Sequence, residues 1–147
     1  MIKEKTMATA ELTKILLDAL DDERKAEATY AAVIDRFGPV RPFSNIIEAE
    51  QRHAAALERQ LARLGIDVPP NPWAGKVTAP ATLAQACESA VRGEIENIAL
   101  YDRLIPMIED PAARQVMENL QAASRERHLP AFRRCLERER GGGRGRG

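Results

Sequence analysis

Cysteine, aromatic side chains and net charge are all in short supply in this sequence, and each shortage excludes something. Cys87 and Cys135 are the only two cysteines and no Cys-x-x-Cys pair occurs, so the chain encodes no zinc ribbon, no sulfur-ligated iron site and no disulfide framework. Both cysteines read as small hydrophobes in a reducing, cytoplasmic setting. Acidic and basic residues number 22 each, which leaves no global field to attract nucleic acid or an anionic membrane. No stretch approaches the roughly 20 apolar residues of a membrane span, and Met1 to Met7 is polar and charged with no apolar run behind it. The chain reads as soluble and unexported. Aromatics make up 4% of the residues, and with β-branched side chains also few, strand is disfavoured.

What remains is helix. Ala, Leu, Arg and Glu dominate, and 147 residues are enough to bury one core. Glycine and proline divide the chain into four stretches with apolar residues at three- and four-residue steps. The first runs from about Ala10 to Phe37 and ends at Gly38-Pro39; the second runs from about Pro42 or Ser44 to Leu64 and ends at Gly65. The third begins near Pro80 and fades at Pro106. The fourth starts with Asp110 as N-cap and Pro111 at the first helical position, and continues to about Glu139. The resulting expectation is an all-α, antiparallel four-helix bundle over residues 1–140.

Connections constrain its topology. Helices 1 and 2, and helices 3 and 4, are joined by about five residues each, so each pair forms an antiparallel hairpin. Between the pairs lie Ile66 to Ala79, with Pro69-Pro70-Asn71-Pro72 and no helical pattern. Fourteen extended residues reach about 46 Å, and a helix of about 22 residues is about 33 Å long. The linker can therefore run the length of the bundle, as one long crossover between helices 2 and 3 requires. Trp73 is expected to pin it to the bundle.

The far end differs from the rest. From Arg125 onward there are eight Arg against three Glu, and residues 141–147 read Gly-Gly-Gly-Arg-Gly-Arg-Gly, a disordered tail by composition. A bland solubilising end is favoured over RNA binding, so nucleic acid is not an expected partner.

Chemistry enters where the apolar stripes are interrupted. Helix 1 presents Leu16, Leu20, Glu23, Tyr30, Ile34 and Phe37; helix 2 presents Phe43, Ile46, Ile47, Glu50, His53, Leu57, Leu61 and Leu64. Glu50 and His53, three apart, share a face. Helix 3 offers Leu83, Cys87, Glu94, Ile98, Tyr101 and Ile105, and helix 4 offers Val116, Leu120, Ser124, His128, Phe132 and Leu136. Each helix thus brings polar residues to its middle on its apolar side. Buried carboxylates are costly unless paired or bound to a cation, and three converging would repel. Metal resolves this, because Glu and inward Glu-x-x-His residues from facing helices are the donor set of di-iron and di-manganese carboxylate bundles. Such ligands suit iron or manganese, and zinc accepts the same types. Tyr30 and Tyr101 read as core aromatics with a hydrogen-bonded hydroxyl, Glu27 and Glu96 as solvated, and Met107 and Met117 as packing.

An internal repeat supports the grouping. Glu23 and Tyr30 recur as Glu94 and Tyr101, both offset by 71, while His53 recurs as His128, offset by 75. Two such halves face to face would set two metal positions across a pseudo-twofold axis.

On Glu23-Arg-Lys-Ala-Glu-Ala-Thr-Tyr30, Glu50-Gln-Arg-His53, Glu94 to Tyr101 and His128-Leu-Pro-Ala-Phe132, residues 10 to 138 resemble the rubrerythrin branch of the ferritin-like superfamily. The likeness extends to poorly characterised ferritin-like domain proteins. The resemblance implies that Glu23 and Glu94 are terminal ligands of two iron ions, that Glu50 bridges them, and that His53 and His128 are terminal. It also implies a centre that reacts with O2 or peroxide in iron oxidation or peroxide reduction. With no rubredoxin-like domain in the chain, a peroxidase of that kind needs a separate electron donor.

One departure stands out. Three residues before His128, where a second Glu-x-x-His would begin, is Arg125; Glu126 is two before it, on the wrong side of the helix. Three Glu against two divalent ions leave a formal charge of +1. Three outcomes are open: an exogenous oxygen ligand completes the site, one metal position is weak, or Arg125 pairs with the Glu cluster and no metal binds. In the last case the chain is a non-catalytic interaction or stress-associated bundle. Pro130 frees the carbonyl of Glu126 and is expected to kink helix 4. A homodimer through helix faces is compatible with the sequence without being specified by it.

Overall fold

The computed structural model describes residues 2–145, with side chains for 9–141. Every regular element among them is helical: α1 (Ile2–Phe37), α2 (Phe43–Arg63), α3 (Leu83–Leu104) with a 3-10 turn (Ile105–Met107), α4 (Pro111–Ala123), a π-helical turn (Ser124–His128) and α5 (Leu129–Gly145). Ser124 and Leu129 keep right-handed helical dihedrals, so α4, the π turn and α5 run on as one fourth rod. The structure is a four-rod helical bundle.

Local chemistry sets the boundaries. Gly38 and Gly65 end α1 and α2 at φ 87° and 72°, a region open to glycine and costly to other residues. α3 starts at Leu83 rather than near Pro80 because Thr82 and Gln85 form a reciprocal capping box. Asp110 caps α4 by accepting from the Ala113 N–H (2.9 Å) and also receives Arg63 at 2.7 Å, tying the end of α2 to the start of α4. α1 begins at Ile2, earlier than Ala10, since no proline or glycine interrupts residues 2–10. α5 continues to Gly145; the Gly/Arg tail expected at 141–147 falls partly on residues 146 and 147, outside the described residues.

Two apolar cores form along the bundle, each fed by all four rods. One contains Leu16, Leu20, Leu57, Leu61, Tyr101, Leu104, Met117 and Leu120; the other contains Tyr30, Val33, Phe43, Ile46, Ala86, Cys87, Phe132 and Cys135. Each fully buried leucine contributes about 2 kcal/mol. Glu23, Glu50, His53, Glu94 and His128 lie in sequence between the two sets on their respective rods, so they form a polar layer separating the cores.

Residues 64–82 connect α2 to α3 without helix and lie along α1. Arg24, 6% exposed, donates to the carbonyls of Pro69 (2.9 Å) and Pro70 (3.2 Å). Trp73 donates its indole N–H to Asp21 (2.8 Å) under the Lys25 ammonium, and Arg36 donates to Ala81 (3.3 Å). Trp73 thus pins the linker as its sequence context implied.

Three expectations need correction. Cys87 and Cys135 are not free hydrophobes but a disulfide joining α3 to α5, with Cα atoms 5.8 Å apart. Forty-eight residues of separation concealed a pairing that only helix packing creates, and the bond is at odds with a reducing compartment. Met107, read as packing, is 53% exposed on the 3-10 turn, while Met117 is fully buried. Glu27, read as solvated, is half-buried beside Glu58, and burial raises its pKa.

Two measurements follow. Asp110→Ala removes the α4 cap and is expected to cost about 1 kcal/mol, about 3 °C in thermal midpoint for a chain of this size; Asp110→Asn, which keeps the cap, should lose less. An unchanged midpoint for the alanine variant would show the cap to be idle. Thiol titration of the unfolded, unreduced protein should find no free thiol, and reduction should lower the thermal midpoint, because a closed loop of this length constrains the unfolded chain by up to roughly 4 kcal/mol.

Candidate metal centre

Helical geometry alone delivers the five ionisable residues to one level. Glu50 and His53 project from one face of α2, Glu23 from α1, Glu94 from α3 and His128 from the π turn. All five are buried, the three carboxylates at 1–2% exposure. The structure brings together every residue that the stripes singled out.

Glu50 stands at the middle. His128 Nδ1 lies 3.1 Å from Glu50 Oε1 and 3.2 Å from Glu94 Oε1. On the other side, His53 Nδ1 lies 3.7 Å from Glu50 Oε2 and 3.7 Å from Glu23 Oε2. The two imidazoles stack, with centroids 5.4 Å apart. Donor atoms of Glu23, Glu50 and His53 fall within 4.8 Å of one another, as do those of Glu50, Glu94 and His128. Two three-residue donor sets therefore share one carboxylate.

The tyrosines of the repeat exchange partners. Tyr30 donates its hydroxyl to Glu94 Oε2 (2.5 Å), and Tyr101 donates to Glu23 Oε1 (2.7 Å). Each half's tyrosine thus orients the other half's glutamate, leaving the second oxygen of each carboxylate facing the cluster. Among the described residues, two buried side-chain atoms have no hydrogen-bond partner, Glu50 Oε2 and His53 Nδ1. Such orphans are rare and costly in folded proteins. Both lie in the same donor set, where a cation between them would satisfy both. The donor types and spacing fit a pair of metal ions.

Protonation follows from the crowding. Burial, then the Glu50 charge, raises Glu23 to about 8. Burial pulls His53 and His128 down, but the carboxylates around them prevail and lift them to about 10 and about 9. Burial acts to raise Glu50, and the groups around it, Glu23, His128 and His53, outweigh it and lower its pKa. Protons on the imidazoles and on Glu23 thus offset the crowded carboxylate charge, as bound cations would.

Arg125 takes no part. It is exposed and pairs with Asp102 at 3.4 Å, so the arginine-neutralised cluster is overturned. The cause lies in the helix. Leu120, Ser124, His128 and Phe132 recur every fourth residue and are all buried, yet in a regular α-helix twelve residues at about 100° each would rotate Phe132 about 120° away from Leu120. The π turn absorbs one residue, with the Leu129 N–H reaching the Ser124 carbonyl, and brings the stripe back to one face. Pro130 is the local reason: it has no N–H to offer Glu126, and its ring would crowd that carbonyl in a regular turn. The expected kink is realised as this turn, a feature common at functional sites.

Sequence reasoning missed the polar residues beside the centre. Asn97, 4% exposed, donates to Asp22 Oδ2 (2.7 Å) and accepts from Ser124 (3.0 Å). It lies three residues after Glu94, a spacing that places it on the same face. Gln121 is buried against Asp102 and the Ile98 carbonyl.

No family model matches the chain, and no curated protein or solved structure matches it either.

The protonation pattern carries a pH dependence. Glu23 and the two histidines hold protons more tightly folded than unfolded, where their values are 4.5 and 6.5. The folded state binds more protons, so their stabilisation is complete below the unfolded values and is lost as pH rises through about 8, 9 and 10. Denaturant midpoints of chelator-treated protein should fall steadily from about pH 6 to about pH 10. A rise across that window would place the protons elsewhere.

Proposed function

We propose that the chain is a di-metal carboxylate protein, with iron as the favoured metal, that reacts with O2 or peroxide as a ferroxidase- or peroxidase-like protein. Manganese and zinc accept the same donors. The observation that carries this reading is Glu50, a buried carboxylate shared by two donor sets, in one of which Glu50 Oε2 and His53 Nδ1 lie 3.7 Å apart with no hydrogen-bond partner. Bound iron ions supply the one-electron steps that O2 and peroxide chemistry needs. The chain's own residues do the rest. Glu23 and His53 hold one side, Glu94 and His128 the other, and Glu50 spans both. Tyr101 and Tyr30 fix the terminal carboxylates, and the two apolar cores keep bulk water away from the layer. Electrons for repeated turnover come from a separate donor.

The proposal includes an antiparallel, ferritin-like rod order with one crossover. Support comes from the cores: one takes the early parts of α1 and α4 with the late parts of α2 and α3, and the other takes the reverse. α1 and the fourth rod then run one way and α2 and α3 the other. The parallel α2–α3 step needs a linker as long as residues 64–82. The rubrerythrin-like resemblance of the ligand-bearing segments agrees with this order. No helix among the described residues is long and apolar enough to cross a membrane.

A second reading is a non-catalytic bundle whose cluster holds only protons. Two facts favour it: the fourth carboxylate of a symmetric site is absent, and both histidines are strongly protonatable.

Anaerobic loading with Fe(II) followed by elemental analysis separates the two. About two ions per chain are expected. Glu50→Ala should lose both, because the carboxylate serves both sets, whereas Glu23→Ala and Glu94→Ala should each lose one. Retention well below one ion, unchanged in Glu50→Ala, would sink the di-metal reading in favour of the proton-filled bundle.

A further inference from the structure

Between α1 and α3 a cavity of about 140 Å³ opens from solvent and has Tyr30 and Glu94 among its walls. Those two side chains are nearly fully buried and bonded to each other, and Glu94 also reaches His128. The cavity therefore adjoins one flank of the candidate centre, on the side of Glu94 rather than Glu23.

Gly93 gives the cavity its meaning. It sits midway along α3, where glycine is the poorest helix former short of proline. Glycine in a helix is ordinarily excused by a close neighbour, but a Cβ built here meets no atom within 4 Å. Packing does not require this glycine. A side chain at that position would instead occupy open space at the wall of the cavity, which Ala26 and Ala90 also line with minimal bulk.

Size and charge define what fits. A cavity of about 150 Å³ accommodates benzene when its walls are apolar; here Asn97, Thr29 and the Tyr30 hydroxyl stand in the wall, each already bonded within the protein, to Asp22 and Ser124, to the Lys25 carbonyl and to Glu94, so they offer a ligand their remaining acceptor lone pairs and one further N–H of Asn97. The two cations at the cavity have other partners, Lys25 over the Trp73 ring and Arg92 with Glu88 at 3.1 Å. Glu96 and Asp22 add negative charge, which disfavours an anion.

We propose that this cavity is a binding site for a small neutral, hydrogen-bonding molecule of about single-ring size, presented to the Tyr30–Glu94 flank of the centre, and that Gly93 keeps it open. As a substrate site it rests on the metal reading above; as a binding site it does not.

Phenol is the probe. Titrated into the full chain, metal-loaded and chelated, it should shift backbone amides around Ala26, Ala90, Gly93 and Asn97 with a Kd of about 1 mM. Benzoate, the same ring carrying a negative charge, should bind more weakly. Gly93→Leu should weaken phenol binding at least about tenfold while the thermal midpoint and metal content are kept. Gly93→Ala, which can only gain helix stability, should fall between and serves if the leucine variant misfolds. Shifts centred elsewhere, wild-type affinity in both variants, or equal binding of benzoate would overturn the site. Phenol binding intact in a protein that fails to retain iron after anaerobic loading would keep the binding site and overturn its role in presenting a substrate, so the two failures are told apart.

Discussion

A carboxylate that is 1% exposed and lies 3.1 Å from one imidazole and 3.7 Å from another must be compensated, and the compensation of Glu50 organises this protein. Around it, Glu23 and Glu94 add two more buried carboxyl groups, so the middle of the bundle concentrates acid where an apolar layer would otherwise continue. Protons shared with His53 and His128 neutralise the layer in the metal-free state. Cations between the same atoms would offset the carboxylate charge while also satisfying Glu50 Oε2 and His53 Nδ1. The two apolar cores then have a second role besides stability: they hold all four rods at a fixed separation, so the donor atoms stay gathered whether or not the charge is balanced.

The near-symmetry of the layer and its single flaw have separate causes. Exchange of Tyr30 and Tyr101 between halves makes each half of the repeat depend on the other for the orientation of its glutamate. Where the symmetry fails, at Arg125, the fourth rod does not simply lose a ligand. Its π turn rotates Arg125 outward to Asp102 while holding His128 inward. A cation at Arg125 is thus kept out of a layer that is already short of negative charge for two metals. Gly93 and its cavity adjoin Glu94, on the same flank as His128.

Cross-links outside the layer reinforce the same arrangement. Arg24, one residue after Glu23, is buried under the proline carbonyls of the linker and near Glu58, at 3.6 Å. The helix turn that carries Glu23 is thereby anchored on both of its sides. The Cys87–Cys135 bond does the equivalent for α3 and α5, one core away from Glu94 and His128. Both devices act on the rods that carry the polar layer, and neither touches the layer residues themselves.

Much of this was legible in sequence because helices expose their logic at short range. Caps at Asp110 and terminators at Gly38 and Gly65 are local, and a glutamate interrupting an apolar stripe marks its own burial, so the four rods and the five layer residues could be named from periodicity alone. Even the π turn left a trace, since a stripe repeating strictly every four residues cannot remain on one face of an α-helix. What periodicity cannot encode is which atoms meet. The sharing of Glu50, the crossed tyrosine bonds, the outward turn of Arg125, the Cys87–Cys135 pairing and the cavity at Gly93 each depend on the distance between rods. The sequence by itself determined the rods and the face each one buries, because those follow from interactions within a few residues. Only the tertiary structure decided the partners, because packing four faces together sets distances between residues as far apart as Glu23 and Tyr101.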